Sequence, residues 1–310
     1  MAQRRRYEIP GVDADTPAAE AATLTLLVKS RPVFELERAA ASGTDVDAVH
    51  DMRVASRRLR ETLSVFRLVL DPDTFAKQRK LVKRVTRALG DVRDADVFCV
   101  LLGKTAEDAS DDIERLALTY LIDRKGRERA SAVAKLQKRF GKLDLESSRA
   151  GFEGGARNTR ECAEATMPLA DLARTTLADR IDRAYDHLPA ALQRDALSEQ
   201  HAMRIACKHL RYAVEIHAPC FDPSFDEVHD TIVAFQDVLG DMHDIDVITR
   251  YTRSVVALGD HEMAGVSAEA MEAVLADLGQ EWSGLFEKFR RLAANNPEPV
   301  MRERILDALG

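Results

Sequence analysis

The sequence predicts an all-α protein made of two similar antiparallel helical bundles, and three observations carry that prediction. The first is composition. Of 310 residues, 45% are hydrophobic and 31% charged, but only 5% are aromatic. A chain rich in Ala, Leu, Arg and Glu favours helices over strands. The second is internal repetition. Residues 50–63 read HDMRVASRRLRETL and residues 201–214 read HAMRIACKHLRYAV, identical at six of fourteen positions at an offset of 151. Average residue usage gives about one chance match in such a window. Residues 89–97, LGDVRDADV, recur as LGDMHDIDV at 239–247, with six of nine positions the same. Asp71-Pro72 also recurs as Asp222-Pro223, and Pro17 as Pro168. The third observation is a helical apolar period within each copy, described below.

The elements follow in order. Apolar spacing predicts helices over 17–42, 46–70, 74–89, 94–107 and 110–140 in the first half. It predicts 166–188, 196–219, 225–239, 244–258 and 264–293 in the second. Pro32 should kink or end the first helix. Asp71-Pro72, Asp222-Pro223, Gly90 and Gly240 are read as breakers. The stretch holding Ser147, Ser148, Gly151, Gly154 and Gly155 has the composition of a linker. The chain should therefore divide into a first repeat, 1–155, and a second, 156–310.

The helix over 46–70 carries the clearest functional signal. At about 100° per residue, with His50 at zero, Arg53, Arg57 and Arg60 fall between about 280° and 340°. Met52, Ala55, Leu59, Leu63 and Phe66 cluster between about 140° and 220°, on the core side. The second copy repeats this with His201, Arg204, Lys208 and Arg211 beside an apolar face of Met203, Ala206, Leu210 and Val214. His217 aligns with Phe66 and belongs to the apolar side.

A charged stripe is usually a solvated face. Here no acid is read within the stripe of either copy, so no i,i+4 pairs are expected to relieve its repulsion. Aligned cations require a counter-charge. An anionic ligand would supply it, as would the acids of the LGDxxDxDV segments. The residue types suit phosphate. Arg offers a planar fork to two oxygens, Lys adds a point charge, and a protonated His donates from both nitrogens.

The wider chain narrows the choices. Net charge is −7, which disfavours a nucleic-acid binder, yet the basic residues are concentrated. Residues 77–87 hold six Lys or Arg and no acid, and 124–139 hold seven against Glu128 alone, whereas the stretch from Asp260 and Glu262 to Glu281 is acidic. Such clustering can focus positive potential in one place. Cys99, Cys162, Cys207 and Cys220 form no C-x-x-C pair, so neither a zinc site nor a disulfide framework is expected. No apolar run approaches the length of a membrane span, and the N-terminus lacks the apolar stretch of a signal peptide. The expectation is a soluble cytoplasmic protein. No nucleophile elbow, P-loop or dinucleotide fingerprint is present.

At these residues the sequence resembles the CHAD family, the conserved histidine α-helical domains. The likeness rests on H-x-x-R-[VI]-x-x-[RK]-x-L-R, present twice, and on L-G-x-x-x-D-x-D-V downstream of each copy. It covers roughly residues 15–295. The resemblance implies two helical bundles related by a pseudo-two-fold, with a basic groove or pore between them. It also implies non-catalytic binding of inorganic polyphosphate, with no cofactor, and association with polyphosphate granules. Polyphosphate-metabolising enzymes would be further partners. Many members accompany a CYTH-type triphosphatase domain, and this chain is expected to have no room for one. Carried over by position, the ligand residues would be His50, Arg53, Arg57 and Arg60 with His201, Arg204, Lys208 and Arg211. Lys80, Lys83, Arg84 and Arg87 would be added from the next helix. The corresponding helix of the second half has His229 and no Lys or Arg, so the first half should carry more of the grip.

Two rival readings stand beside this one. The basic stripes would also serve the phosphates of RNA or DNA, although few aromatics are present for base stacking. His50-Asp51, His229-Asp230 and His243-Asp244 are HD dipeptides of the kind that bind metal in phosphohydrolases. Against that, Ala202 follows His201 and Arg93 stands where His243 does. The acids Asp91, Asp94, Asp96, Asp241, Asp244 and Asp246 have three readings: helix caps, arginine partners or Mg²⁺ ligands. Capping or pairing with the basic stripes is favoured over metal binding.

Overall fold

The computed structural model describes residues 2–109, 111–259, 261 and 265–309. Asp260, Glu262 and the expected helix starts at 110 and 264 lie outside them. The described residues are all-α. Isolated bridges are the sole extended pairing among them, and one joins the recurring prolines Pro17 and Pro168.

The principal helices are α1 (Ala18–Glu35), α2 (Val46–Val65), α3 (Pro72–Ala88), α4 (Gly90–Asp108), α5 (Asp112–Phe140) and α6 (Leu145–Ala156). They continue with α7 (Leu169–Tyr185), α8 (Leu197–Ile216), α9 (Phe225–Leu258), α10 (Ala268–Asn295) and α11 (Glu298–Asp307). Asp45 caps α2 by accepting from the Ala48 N–H at 2.9 Å, and Asp71 caps α3 by accepting from Thr74 N–H at 2.9 Å. Pro72 then occupies the first turn of α3, where its missing N–H costs no bond. Pro32 lies inside α1, which ends three residues later, and a short helix, Glu37–Ser42, completes the expected span.

Two expectations are corrected, those for Gly240 and for the linker. Gly240 breaks nothing: α9 runs unbroken through it for 34 residues. An isolated helical glycine costs about 1 kcal/mol relative to Ala. The buried row Val228, Ile232, Phe235, Leu239 and Met242 on the same helix outweighs that. Gly90 does open a helix, but only Leu89 separates α3 from α4. The presumed linker is α6, with Leu145, Phe152 and Ala156 buried. Its glycine is a packing device: a Cβ on Gly155 would come within 2.6 Å of Gln78 Nε2, which donates to the Phe152 carbonyl.

One large apolar core runs through both halves. It joins Met52, Leu59, Leu63 and Phe66 of α2 and its C-terminal end to Met203, Leu210 and Val214 of α8. A second cluster lies beyond it, where α4 and α5 meet α9 and α10 through Phe98, Leu102, Leu121, Ile248 and Met271. The basic faces of α2 and α8 open at the junction between these cores.

Candidate phosphate-binding site

The apolar faces of α2 and α8 turn into the main core, which leaves their basic faces turned towards α4 and α9. Together the four helices enclose a cavity of about 330 Å³. Helix α2 contributes His50, Arg53 and Arg57, and α8 contributes Arg204. Helix α4 adds Arg93 and Asp94, and α9 adds His243 and Asp244. Val97, Phe98, Val247 and Ile248 supply an apolar side. Four arginines thus face two aspartates.

Arg53 is the most constrained of the arginines. Its Nη1 donates to the Thr86 carbonyl at 3.2 Å and its Nη2 to Asp94 at 3.1 Å. Gly90 gives this guanidinium room, since a Cβ there would stand 3.2 Å from Nη1. Burial, with Arg57 nearby, lowers the Arg53 pKa to about 10. Arg204 is different. Burial lowers its pKa against the opposing pull of Asp244, and its buried Nε has no hydrogen-bond partner. Burial raises the Asp244 carboxyl above its ordinary value, against the pull of Arg204.

The histidines are held neutral. Burial, then Arg93, lowers His50. Burial, then Arg204, lowers His201, and the same causes bring His243 down to about 4. His201 and His243 touch through their Nδ1 atoms at 3.1 Å. One neutral ring donates there and the other accepts. Lys208 lies one turn beyond Arg204 on α8. Burial and the charges of Arg57, Arg204, Arg60 and Arg53 push its amine down to about 7.

The remaining sequence-derived residues lie elsewhere. Arg60 is lowered by burial and by Arg57, and continues the α2 face beyond the cavity lining. Arg211 donates through Nε to Glu215 at 2.9 Å. Lys80, Lys83, Arg84 and Arg87 are exposed on α3, and Arg84 donates to the Lys142 carbonyl at 3.1 Å. None of these four lines the cavity.

The expectation of stripes without i,i+4 ion pairs is overturned by Arg211–Glu215, whereas Arg53–Asp94 is a counter-charge of the kind expected from the LGDxxDxDV acids. Four acids of the LGDxxDxDV segments pair with arginines and do not cap helices. Leu89 stands at the α4 N-cap with no side-chain cap bond, and Asp241, Asp244 and Asp246 sit inside α9. Asp91 pairs with Arg139 at 3.3 Å, Asp96 with Arg129, and Asp246 with Arg250 at 3.1 Å. Among the described residues no three His, Cys, Asp or Glu side chains converge as a metal site. Of the HD dipeptides, His50 and His243-Asp244 reach the cavity and His229 does not. His229 is buried against Glu215 and stacked on Phe225, away from His50 and His243.

Arg93, Asp94, His243 and Asp244 were not expected as cavity residues. The signal that marks them is the second repeat itself. Arg93 and His243 occupy one position of it, and Asp94 and Asp244 the next, so each copy sends the same two positions to the cavity.

A family model described as the CHAD domain matches residues 33–253. No curated protein matches the sequence. Two solved structures share the fold. The crystal structure of the CHAD domain from the plant Ricinus communis aligns with a TM-score of 0.64 at 23% identity, covering 98% of this chain and 96% of that one. PptA from Streptomyces chartreusis aligns with a TM-score of 0.71 at 19% identity, covering 89% of this chain and 99% of that one.

Proposed function

The chain belongs to the CHAD family, and on that premise we propose that its arginine-lined cavity binds inorganic polyphosphate without catalysis. The observation that carries this reading is the meeting of Arg53, Arg57, Arg93 and Arg204 on one cavity wall against Asp94 and Asp244 alone, with the buried Arg204 Nε left without a protein partner. A buried charged donor is costly to leave unpaired. A phosphate would supply the counter-charge, accepting charge-assisted bonds from the guanidinium groups that line the cavity.

In this reading α2 and α8 are copies from an internal duplication, and the cavity is part of the basic groove between them. Arg60, His201, Lys208 and Arg211 extend the cationic path along the same two helices. Lys80, Lys83, Arg84 and Arg87 form an outer track for chain that leaves the cavity. The protein would act in the cytoplasm, at polyphosphate granules or beside polyphosphate-metabolising enzymes.

The test is calorimetric titration with polyphosphate of defined length. Hydrogen bonds to charged groups contribute about 1.5–3 kcal/mol each. Joint replacement Arg57→Ala and Arg204→Ala should therefore weaken binding by about 100-fold or more, with circular dichroism unchanged and no phosphate released. Unaltered affinity would remove the site assignment. Displacement of polyphosphate by RNA at comparable concentration would favour a general polyanion binder instead.

A further inference from the structure

We propose that the cleft between α7 and α8 receives a tyrosine side chain from a short segment of another protein. The inference goes beyond the phosphate reading and does not depend on it. It concerns the flank of α8 that carries Ala202, Ile205 and His209, next to the face that carries Arg204 and Lys208.

The cleft holds about 500 Å³, a size usual for ligand sites. Ala202, Ile205 and Ala206 give it an apolar side, and Arg180 and His209 line it as well. Both of these polar groups are held by the buried Glu61 of α2. Arg180 donates to one carboxylate oxygen from Nε at 3.1 Å and from Nη2 at 2.8 Å, and His209 Nδ1 stands 2.5 Å from the other. Their planes are thus fixed before a ligand arrives, which removes part of the ordering cost of binding.

The equivalent place in the first half is covered by a tyrosine. At the offset of 151, Lys29 corresponds to Arg180 and Arg58 to His209. Arg58 crosses to Glu215 of α8 as His209 crosses to Glu61 of α2. Over Lys29 and Arg58 lies the ring of Tyr7, with Lys29 Nζ 5.9 Å and the Arg58 guanidinium carbon 5.8 Å from its centroid. Both distances are within cation–π range. Tyr7 is buried, and Arg4 ties its segment down by donating to the Phe221 carbonyl at 2.5 Å. In the second half Asn158 stands where the offset puts Tyr7, and its amide donates to Thr74 Oγ1 at 3.0 Å instead. Among the described residues, the lining of the second cleft includes no phenyl, phenol or indole ring.

A tyrosine laid on Ala202, Ile205 and Ala206 would meet Arg180 and His209 as Tyr7 meets Lys29 and Arg58, burying its ring and stacking on planar polar groups. The tyrosine must come from another chain. Tyr7 is already engaged, and Tyr120, Tyr185, Tyr212 and Tyr251 all lie inside helices. The grip should be weaker than the one on Tyr7. Phe225 and His229 also pack on that ring, with centroids 6.0 and 5.4 Å away, whereas their counterparts Thr74 and Gln78 lie against Gly155 of α6. The second cleft therefore suits a reversible partner, held on α8 beside the face that serves the arginine-lined cavity.

The experiment uses the full chain and a synthetic peptide with the sequence of residues 1–12, the segment that places a tyrosine on the equivalent site of the first half. Fluorescence anisotropy of the labelled peptide should show saturable binding. The imidazole NMR signal of His209 should shift in the ring current of the incoming tyrosine, while that of His229, beside the chain's own Tyr7, stays unmoved. A peptide carrying Tyr7→Ala should bind about tenfold or more weakly. It keeps Arg4, Arg5 and Arg6, so it controls for general charge attraction. In the protein, Ala202→Leu should fill the cleft and weaken the tyrosine peptide about tenfold, with circular dichroism unchanged. Free p-cresol should compete with the peptide and shift the same His209 signal, which keeps the test decisive if Ala202→Leu misfolds. No saturable binding, equal affinity of the two peptides, or a shift at His229 in place of His209 would overturn the proposal. Polyphosphate titration of the wild type is read separately. If it fails while the peptide binds, the functional reading falls and the tyrosine site stands. If polyphosphate binds and the peptide does not, the reverse holds.

Discussion

His217 ends α8 with its ring fully buried, neither nitrogen hydrogen-bonded, and the Phe66 ring 6.5 Å away. Burial alone pushes its pKa down to about 3, from an ordinary value of 6.5. The unfolded chain therefore binds a proton that the folded one refuses, and stability declines as pH falls from about 6.5 towards 3. The loss reaches about 2 kcal/mol at pH 5. Phe66 holds the corresponding position of the first repeat, so a phenyl ring suits this environment. The variant His217→Phe should be more stable than the wild type at pH 7.5, since it buries no unpaired imidazole. Its advantage should grow by about 2 kcal/mol at pH 5. Urea midpoints at the two pH values measure this, and an advantage independent of pH would rule out the linkage. The apolar placement of His217 is visible in sequence from its alignment with Phe66. The absence of any partner is not, because it depends on which backbone groups the core leaves within reach.

At the scale of elements, α2 and α8 are joined by two buried acids. Arg58 donates to Glu215 at 2.9 and 3.3 Å, and His209 meets Glu61 at 2.5 Å. Positions 58 and 209 correspond in the repeat, so each helix reaches across with the same position to an acid on the other. Arg211 and His229 also bind Glu215, and Arg180 binds Glu61. The Glu215 pKa falls to about 2: burial raises it, but the hydrogen bond to His229 and the Arg58 and Arg211 guanidinium groups outweigh that. A depressed folded pKa gives stability that is full above about 4.5 and lost as pH falls towards 2, about 3 kcal/mol in all. Glu215→Gln should cost about 3 kcal/mol at pH 7, because the half-buried Arg58 and Arg211 lose their counter-charge. The deficit should shrink by pH 3, where the wild type has lost part of the same term. Urea unfolding at both pH values decides, and a constant deficit would mean that the charge of Glu215 is not what holds α2 to α8.

The same pair of helices shows where sequence reasoning stopped short. The wheel that aligns His50, Arg53, Arg57 and Arg60 puts Glu61 at about 20°, beside the cations. On the second copy Glu215 falls at about 320°, within the stripe and one turn past Arg211. The acids were within reach of the periodicity but beyond the matched motif, and Glu215 has no acidic counterpart at residue 64. Helix order and the core faces are legible because they depend on local period. Continuity through Gly240 and packing through Gly155 are not, since both are decided by neighbours distant in sequence.

For the whole molecule, the contrast is between a net charge of −7 and a cavity with four arginines against two aspartates. The negative surplus lies elsewhere on the chain and would repel a polyanion at long range, while the cavity, in the proposed reading, would attract it at contact. The two effects respond differently to salt. Screening over a Debye length of about 8 Å at physiological ionic strength removes the long-range repulsion first. Contact binding weakens through the return of counterions to the freed polyanion. If Arg53, Arg57, Arg93 and Arg204 each neutralise one phosphate, the slope of log affinity against log salt should be about −3 by analogy with single-stranded nucleic acid. Raising salt from 50 to 200 mM should then weaken polyphosphate binding by about 50-fold. Arg57→Ala should make that slope shallower by a little under one unit, whereas Lys80→Ala, on the outer track of α3, should do so only with polyphosphate long enough to leave the cavity. Titrations at four salt concentrations with a short and a long polyphosphate distinguish these cases. A slope near zero with both would mean that the arginines are not neutralised by the ligand. A Lys80→Ala effect as large with the short chain as with the long one would place α3 inside the site.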